Sequence, residues 1–218
     1  MLFRSVVVYA DGADKAGQMQ PLASNVPGQG TPEALWAYLA RYEESTGGRA
    51  MAIPHNGNLS NGLMFAETDS NGKAISPDYA SERMRWEPIV EMTQIKGDGE
   101  THPLLSPDDA FADFETWDAG NFAATLGPNK EPEMLEYEYA RSALKRGLKL
   151  QVQNGGNPYK FGMIGSTDAH TALATGAEDN FWGKATIMEP GRPRILPSGL
   201  FGEATGDNEL TTPWRYVA

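Results

Sequence analysis

Short apolar runs alternate with segments that carry helix signals, and this alternation constrains the fold of the chain more than any other feature. The runs typical of β-strands cover residues 3–9, 49–54, 89–95 and 160–165. The segments typical of helices lie between them, at residues 31–46, 77–86 and 131–148. Strands that alternate with helices favour an α/β fold with parallel strands, here joined by long loops.

The first predicted helix has clear boundary signals. Thr31 is a suitable N-cap, Pro32 fits the first helical position, and Gly47 follows the last periodic residue. In the second helix we expect Glu82 and Arg83 to face solvent. These signals predict where the helices begin and end more firmly than they predict which elements the helices pack against.

The strongest helix candidate, residues 131–148, has apolar side chains spaced for one face: Leu135, Tyr139, Leu144 and Leu148. A further short helix is predicted over residues 107–116. We expect the long helix to pack through this apolar face.

The composition excludes several classes of protein. The 218 residues carry a formal net charge of -11, which repels nucleic acid and anionic membranes, so we expect neither as a partner. The chain has no cysteine, which excludes disulfides, thiolate ligands and a cysteine nucleophile. It also lacks a Gly-x-Ser-x-Gly elbow, a Walker loop and a dinucleotide fingerprint.

The start of the chain bears on its compartment. The first apolar run is too short for a signal peptide, and no stretch approaches the length of a membrane span. We therefore expect a soluble chain without a targeting signal, of unknown compartment. The abrupt opening of a strand predicts that upstream sequence is missing.

The chain has three histidines, and each lies in a loop that follows a strand-like run: His55, His102 and His170. In parallel α/β folds, functional groups gather beyond the carboxyl ends of the strands. One loop histidine is usually a surface or structural residue. Three in equivalent places favour a metal site, because imidazole is the commonest protein metal ligand.

Carboxylates accompany these histidines. Asp168 and His170 lie two residues apart, so on an extended segment both face one side and can reach one metal ion. Glu91, inside a strand-like run, needs a partner, which a metal, a lysine or an arginine would supply. We therefore interpret His55, Asp168, His170 and Glu91 as metal-ligand candidates.

Loop residues supply candidates for catalysis and substrate binding. Glu100 and His102 lie two residues apart, and we interpret them as catalytic candidates that move a proton. Lys96 would bind an anionic substrate group as a point charge, or else it is a solvated loop lysine. Asn56 is either a turn residue or a polar group that orients a ligand, and it joins Lys96 as a substrate-binding candidate.

Three long segments carry a family resemblance. They read Ala-Ile-Pro-His-Asn-Gly-Asn-Leu-Ser-Asn-Gly at 52–62, Val-Glu-Met-Thr-Gln-Ile-Lys-Gly-Asp-Gly-Glu-Thr-His-Pro at 90–103, and Phe-Gly-Met-Ile-Gly-Ser-Thr-Asp-Ala-His-Thr at 161–171. The chain thereby resembles a bacterial family catalogued as domain of unknown function 3604. The resemblance runs from the first strand to about Pro190, so we expect one domain over residues 1–190 and an irregular tail over 191–218.

That family is similar in turn to the polymerase and histidinol phosphatase (PHP) superfamily, whose members are distorted β/α barrels that bind divalent metals at the strand ends. The resemblance implies a partial PHP-like barrel with metal ligands at His55, Asp168 and His170, and less directly at Glu91 and His102. It implies a metal-dependent hydrolase in which Mn, Zn or Fe activates water for attack on a small anionic phosphomonoester or phosphodiester. Members of the family are often exported.

The chain departs from the family pattern in ways that keep an alternative open. Family members begin with a His-x-His segment and a later Asp-His pair, and neither occurs here. Phe3 stands where a histidine is often seen, and Gly99 stands where we expect a serine. The alternative is a fragment or degenerate remnant that binds metal or a partner without turnover. Because a partial barrel would expose strand edges, we also expect homo-oligomerisation as one way to cover them.

Overall fold

The structure, a computed structural model, describes residues 5–23, 26–94, 97–116 and 130–169, together with 177, 179, 198–199 and 202–203. The helices are α1 Ala13–Ala16, α2 Pro32–Thr46, α3 Pro77–Trp86, α4 Pro132–Leu135 and α5 Ala140–Asn154, with a 3-10 turn at Gly57–Leu59. The strands are β1 Ser5–Tyr9, β2 Ala50–Pro54, β3 Ile89–Gln94, β4 Gly97–Asp98, β5 Gly162–Gly165, β6 Ser198–Gly199 and β7 Gly202–Glu203. The predicted mixture of helices and strands is confirmed.

A three-stranded sheet of order β4-β3-β5 contains the expected parallel pairing. β3 and β5 run parallel, with Ile89 opposite Gly162 and Glu91 opposite Ile164. The register shifts between Glu91 and Thr93, and Thr93 then lies opposite Gly165. β4 pairs with the end of β3 in the antiparallel sense. Among the described residues the sheets form no closed barrel.

β1 and β2 form a separate antiparallel pair, so the expectation of parallel strands is wrong for them. The long loop before α2 explains the direction. It first passes the C-terminal end of α2, where Lys15 Nζ donates to Gly47 O at 2.9 Å. From there the chain runs back to the point where α2 begins. As a result, α2 ends beside the end of β1. β2 starts there, and Tyr9 lies opposite Ala50.

The predicted boundaries of α2 are confirmed. Thr31 Oγ1 accepts a hydrogen bond from Ala34 N at 3.2 Å, which satisfies one free amide of the first turn. Gly47 ends the helix with a φ of 62°, a left-handed conformation in which a side chain would be strained. Leu39 and Tyr42 on this helix are fully buried.

The segment 131–148 does not form one helix. The chain leaves α4 after Leu135 and enters α5 at Ala140, because distant groups bind the backbone in between. Tyr137 O accepts from Phe65 N at 2.9 Å, and Ala140 N donates to Gly99 O at 2.9 Å. The apolar face also differs from the prediction, since Leu148 is 64% exposed.

Two further predictions about helices are wrong. Residues 107–116 form turns and no helix. Arg83 on α3 points into the core, where it pairs with Glu87 at 3.1 Å and donates to Met64 O at 2.9 Å. Its guanidinium also lies 4.9 Å from the centre of the Tyr159 ring. Paired and hydrogen-bonded in this way, an arginine is tolerated inside a protein.

The core has two parts, which lie on either side of α3. One contains Met64, Phe65, Val90, Ala143 and Phe161, and so joins β3 to α5 and to the start of β5. The other joins α2 to β2 and to the end of α3. Within the described residues, no helix has the length and apolar character needed to cross a bilayer.

Candidate functional site

The loop after β2 meets the side chain of Glu91 on β3. Asn56 N donates to Glu91 Oε1 at 3.1 Å, and His55 Nδ1 lies 3.7 Å from Glu91 Oε2. The side chains of His55 and Glu91 are 15% and 10% exposed, so this pair is largely shielded from solvent. Asn56 has a φ of 59°, a left-handed conformation that asparagine tolerates better than most residues. The structure therefore brings together three predicted site residues, His55, Asn56 and Glu91.

Gln94 completes this cluster and fixes the orientation of its amides. Gln94 Nε2 donates to Glu91 Oε1 at 3.3 Å and to Asn56 Oδ1 at 2.7 Å. Since an ionised carboxylate only accepts, the amide nitrogen of Gln94 must face Glu91, and the amide oxygen of Asn56 must face Gln94. Asn56 Nδ2 then lies 3.2 Å from His55 Nδ1 and 3.3 Å from His55 Nε2. The amide nitrogen of Asn56 therefore lies against the ring of His55, close to both ring nitrogens.

Asp168 lies on the segment that follows β5. Ser166 N donates to Thr93 O at 3.1 Å, which continues the contact between this segment and β3 beyond the end of β5. Asp168 is half-buried and has a φ of 50°, again in the left-handed region. The segment thus leaves the sheet next to the strand that carries Glu91. The other two predictions nearby, His170 and Lys96, lie outside the described residues.

A backbone hydrogen bond in the loop after β4 determines which ring nitrogen of His102 carries the proton. Asp98 Oδ2 accepts from Glu100 N at 3.0 Å and from Thr101 N at 3.2 Å, and burial raises the pKa of this carboxyl. His102 is 7% exposed, and its Nδ1 accepts the amide hydrogen of Leu104 at 3.1 Å. The neutral ring therefore carries its proton on Nε2 and can donate a hydrogen bond from that atom. The ring also contacts Tyr139 at the start of α5, with centroids 5.7 Å apart.

Glu100 has a different environment from that expected of a proton carrier. Its side chain is 50% exposed, and Oε1 accepts from Arg141 Nε at 2.8 Å and Nη2 at 2.6 Å. Arg141 Nη1 also contacts Asp109 Oδ2 at 2.6 Å, and this interaction helps to lower the pKa of Asp109. The ion pairs link the loop to α5. A concavity of about 560 Å³ near Asp109 is lined by residues 105–111 and Lys145, so it is separate from the His55 cluster.

A buried ion pair that the sequence does not predict borders the loop after β2. Glu138 is fully buried, and its carboxylate contacts Lys130 Nζ directly. Glu138 Oε1 accepts from Gly62 N at 2.9 Å, and Lys130 Nζ donates to Asn58 O at 2.5 Å. Neither residue follows a strand or belongs to a motif, so no local pattern identifies them.

The donor chemistry of the cluster suits a divalent cation of the Mn, Zn or Fe type. Imidazole and carboxylate are the ligands that such ions share in proteins, and the ring of His55 lies beside the carboxylate of Glu91. Within the described residues, no three histidine, aspartate or glutamate side chains are grouped closely enough to hold a metal ion. A complete ligand set would therefore draw on at least one residue beyond His55 and Glu91.

Comparison with known proteins identifies the family of the chain. The model of the family described as "Protein of unknown function (DUF3604)" matches residues 2–214. The match extends beyond Pro190, where the resemblance seen in the sequence ended. Comparisons with curated proteins and with solved structures gave no match. Since the family model covers nearly the whole of a chain with the expected α/β composition, this protein belongs to the DUF3604 family.

Proposed function

We propose that this protein is a metal-dependent hydrolase that cleaves a phosphoester in a small anionic substrate. The observation that carries the proposal is the contact between His55 and Glu91, 3.7 Å apart, with Asn56 and Gln94 both bonded to the carboxylate of Glu91. His55 follows the end of β2 and Glu91 lies on β3, and active sites of α/β folds commonly combine residues from several different strands. Burial of an imidazole beside a carboxylate also favours a metal-binding role over a surface role.

We assign the metal site to His55, Glu91, Asp168 and His170. Glu91 Oε1 accepts from two N–H donors, Asn56 N and Gln94 Nε2, which leaves Oε2 directed towards His55. Such support around a ligand holds it in one orientation. When bound, a divalent cation supplies Lewis acidity and an activated water for attack on a phosphoester.

The remaining candidates would act on the substrate. His102 would donate from Nε2, since its Nδ1 is bound to Leu104 N. Lys96 would bind a phosphate oxygen by charge. The parallel pairing of β3 with β5, with candidate ligands on or after each strand, supports a PHP-like barrel as the complete architecture.

A second candidate is a protein that binds metal or a partner without turnover. The position of Glu100 favours it, because Arg141 binds this carboxylate through two nitrogens in a link between the loop and α5. A carboxylate engaged in this way stabilises the fold, and one of the two predicted proton carriers would be missing. His102 would then act as a hydrogen-bond donor to a bound ligand.

Metal analysis combined with turnover separates the two candidates. The full chain would be incubated with Mn²⁺, desalted and analysed for metal, then assayed with p-nitrophenyl phosphate and bis-p-nitrophenyl phosphate. We expect stoichiometric metal and turnover, with turnover reduced by more than about 100-fold in Asp168→Ala, beyond the usual cost of changes around a ligand. Asp78→Asn, on the exposed first turn of α3, is the matched control. Bound metal without turnover would support the second candidate. Protein with neither would refute the hydrolase and would leave, of the second candidate, only the binding of a partner.

A further inference from the structure

The buried pair of Lys130 and Glu138 contacts the loop 57–62 at two points. Glu138 Oε1 accepts the amide hydrogen of Gly62 at 2.9 Å, near the end of the loop. Lys130 Nζ binds Glu138 Oε2 and also donates to Asn58 O at 2.5 Å, near the start of the loop. The two ends are therefore joined through one ion pair, in which Glu138 is fully buried and the Lys130 side chain is 9% exposed.

The backbone of Glu138 also fits closely against the loop. A Cβ atom at Gly57 would lie 2.8 Å from Glu138 O, a distance that real Cβ atoms essentially never show. Glycine at this position allows the two backbones to approach. The loop thus lies close against the carbonyl of Glu138 at one end and is bonded to its carboxylate at the other.

This loop begins at the residue after Asn56. The left-handed φ of Asn56, 59°, is an unfavourable conformation that persists only where the surroundings fix it. The Asn56 amide hydrogen binds Glu91, and its side-chain amide faces the ring of His55. Any displacement of the loop would therefore change both of these contacts.

We propose that Lys130 and Glu138 are positioning residues, which hold the loop 57–62 and thereby fix the ring of His55 and the amide of Asn56. A buried ion pair is a weak source of stability, because desolvation of both charges offsets their attraction. Its effect is geometric: the two residues make their hydrogen bonds to Gly62 N and Asn58 O only when the loop occupies one position. The metal-binding part of this inference rests on the proposed function, whereas the effect on His55 does not.

The experiment measures the ring of His55 in metal-free protein. With three histidines in the chain, long-range ¹H–¹⁵N spectra resolve each ring, and His55→Gln assigns the signal. We expect Lys130→Met and Glu138→Gln to shift the His55 ring signals by more than their linewidth. Gly57→Ala should do the same by displacing the loop without changing any charge, and it serves where the charge variants fail to fold.

Glu87→Gln is the matched control, since it removes another fully buried carboxylate charge, one that contacts Arg83 and Trp36 instead of the loop. His55 signals that stay unchanged in Lys130→Met and Gly57→Ala, or that move equally in the control, would overturn the inference. If the protein binds Mn²⁺, its affinity should also fall about 10-fold in Lys130→Met, the lower end of what changes around a ligand cost. Shifted signals without any Mn²⁺ binding would refute the proposed function and leave the positioning role intact.

Discussion

Replacing Arg83 by methionine would remove the guanidinium that neutralises a buried carboxylate. Arg83 Nε lies 3.1 Å from Glu87 Oε2, and the two residues are 3% and 2% exposed. Burial raises the pKa of Glu87, while the charge of Arg83 and the hydrogen bond from Trp36 Nε1 oppose that rise. Methionine keeps the apolar stem of the side chain but removes both the charge and the hydrogen bond to Met64 O.

The expected cost follows from leaving Glu87 unpaired. Removing one partner of a buried ion pair destabilises a protein by about 3–5 kcal/mol. The cost depends on pH, because in the variant the folded-state pKa of Glu87 lies further above its unfolded value, near 4.5. Between these values the folded protein binds more protons than the unfolded chain, so the free energy of unfolding falls as pH rises. Because the pKa of Glu87 is already raised in the wild-type protein, the loss should grow once the pH exceeds that folded-state pKa, and it should be smallest at acid pH.

Urea unfolding followed by Trp fluorescence at several pH values would test this reasoning. Arg83→Met combined with Glu87→Gln should recover most of the lost stability, because the glutamine removes the charge and keeps an acceptor for Trp36. A loss below about 1 kcal/mol near neutral pH, in the range of an exposed ion pair, would refute the argument. So would a loss that does not change with pH, or a double variant that is no more stable than Arg83→Met.

Other predictions test single elements. Thr31→Ala should lower the free energy of unfolding by about 1 kcal/mol through loss of the N-cap bond, whereas Thr31→Ser should keep that bond. Equal urea midpoints for the wild-type protein and the two variants would contradict the assignment. Long-range ¹H–¹⁵N spectra should show the proton of neutral His102 on Nε2, and a signal typical of the Nδ1–H form would disprove the bond from Leu104 N. Leu150→Ala should cost about 2–5 kcal/mol in urea unfolding, and Leu148→Ala no more than about 0.5 kcal/mol. The reverse order would mean that the packed face of α5 is the one predicted from sequence, since Leu150 is 5% exposed and Leu148 is 64% exposed.

The helix ends that the sequence predicts correctly depend on short-range contacts. Thr31 binds the amide three residues later, and Gly47 supplies a left-handed conformation at its own position. Both effects belong to a few consecutive residues, so the sequence contains all the information needed. The same is true of Ser76, which accepts from Tyr79 N at 3.1 Å at the start of α3.

The errors arise where distant groups decide the outcome. The apolar spacing of 131–148 is compatible with one helix, but Phe65 and Gly99 bind the backbone between α4 and α5. Arg83 is buried because Glu87, Met64 O and Tyr159 surround it, and none of these partners can be read from the α3 sequence alone. Local propensity is a weak predictor where tertiary contacts compete with it.

The candidate site combines both situations, and Glu91 illustrates the difference. Its residue type and its place in a strand correctly indicate that the carboxylate needs a partner. The predicted choices were a metal, a lysine or an arginine, whereas the structure supplies Asn56 N and Gln94 Nε2, with His55 3.7 Å away. Neutral donors of this kind support a charged carboxylate without neutralising it. The carboxylate of Glu91 is therefore held by neutral groups beside His55, in the position that the proposed function assigns to a metal ligand.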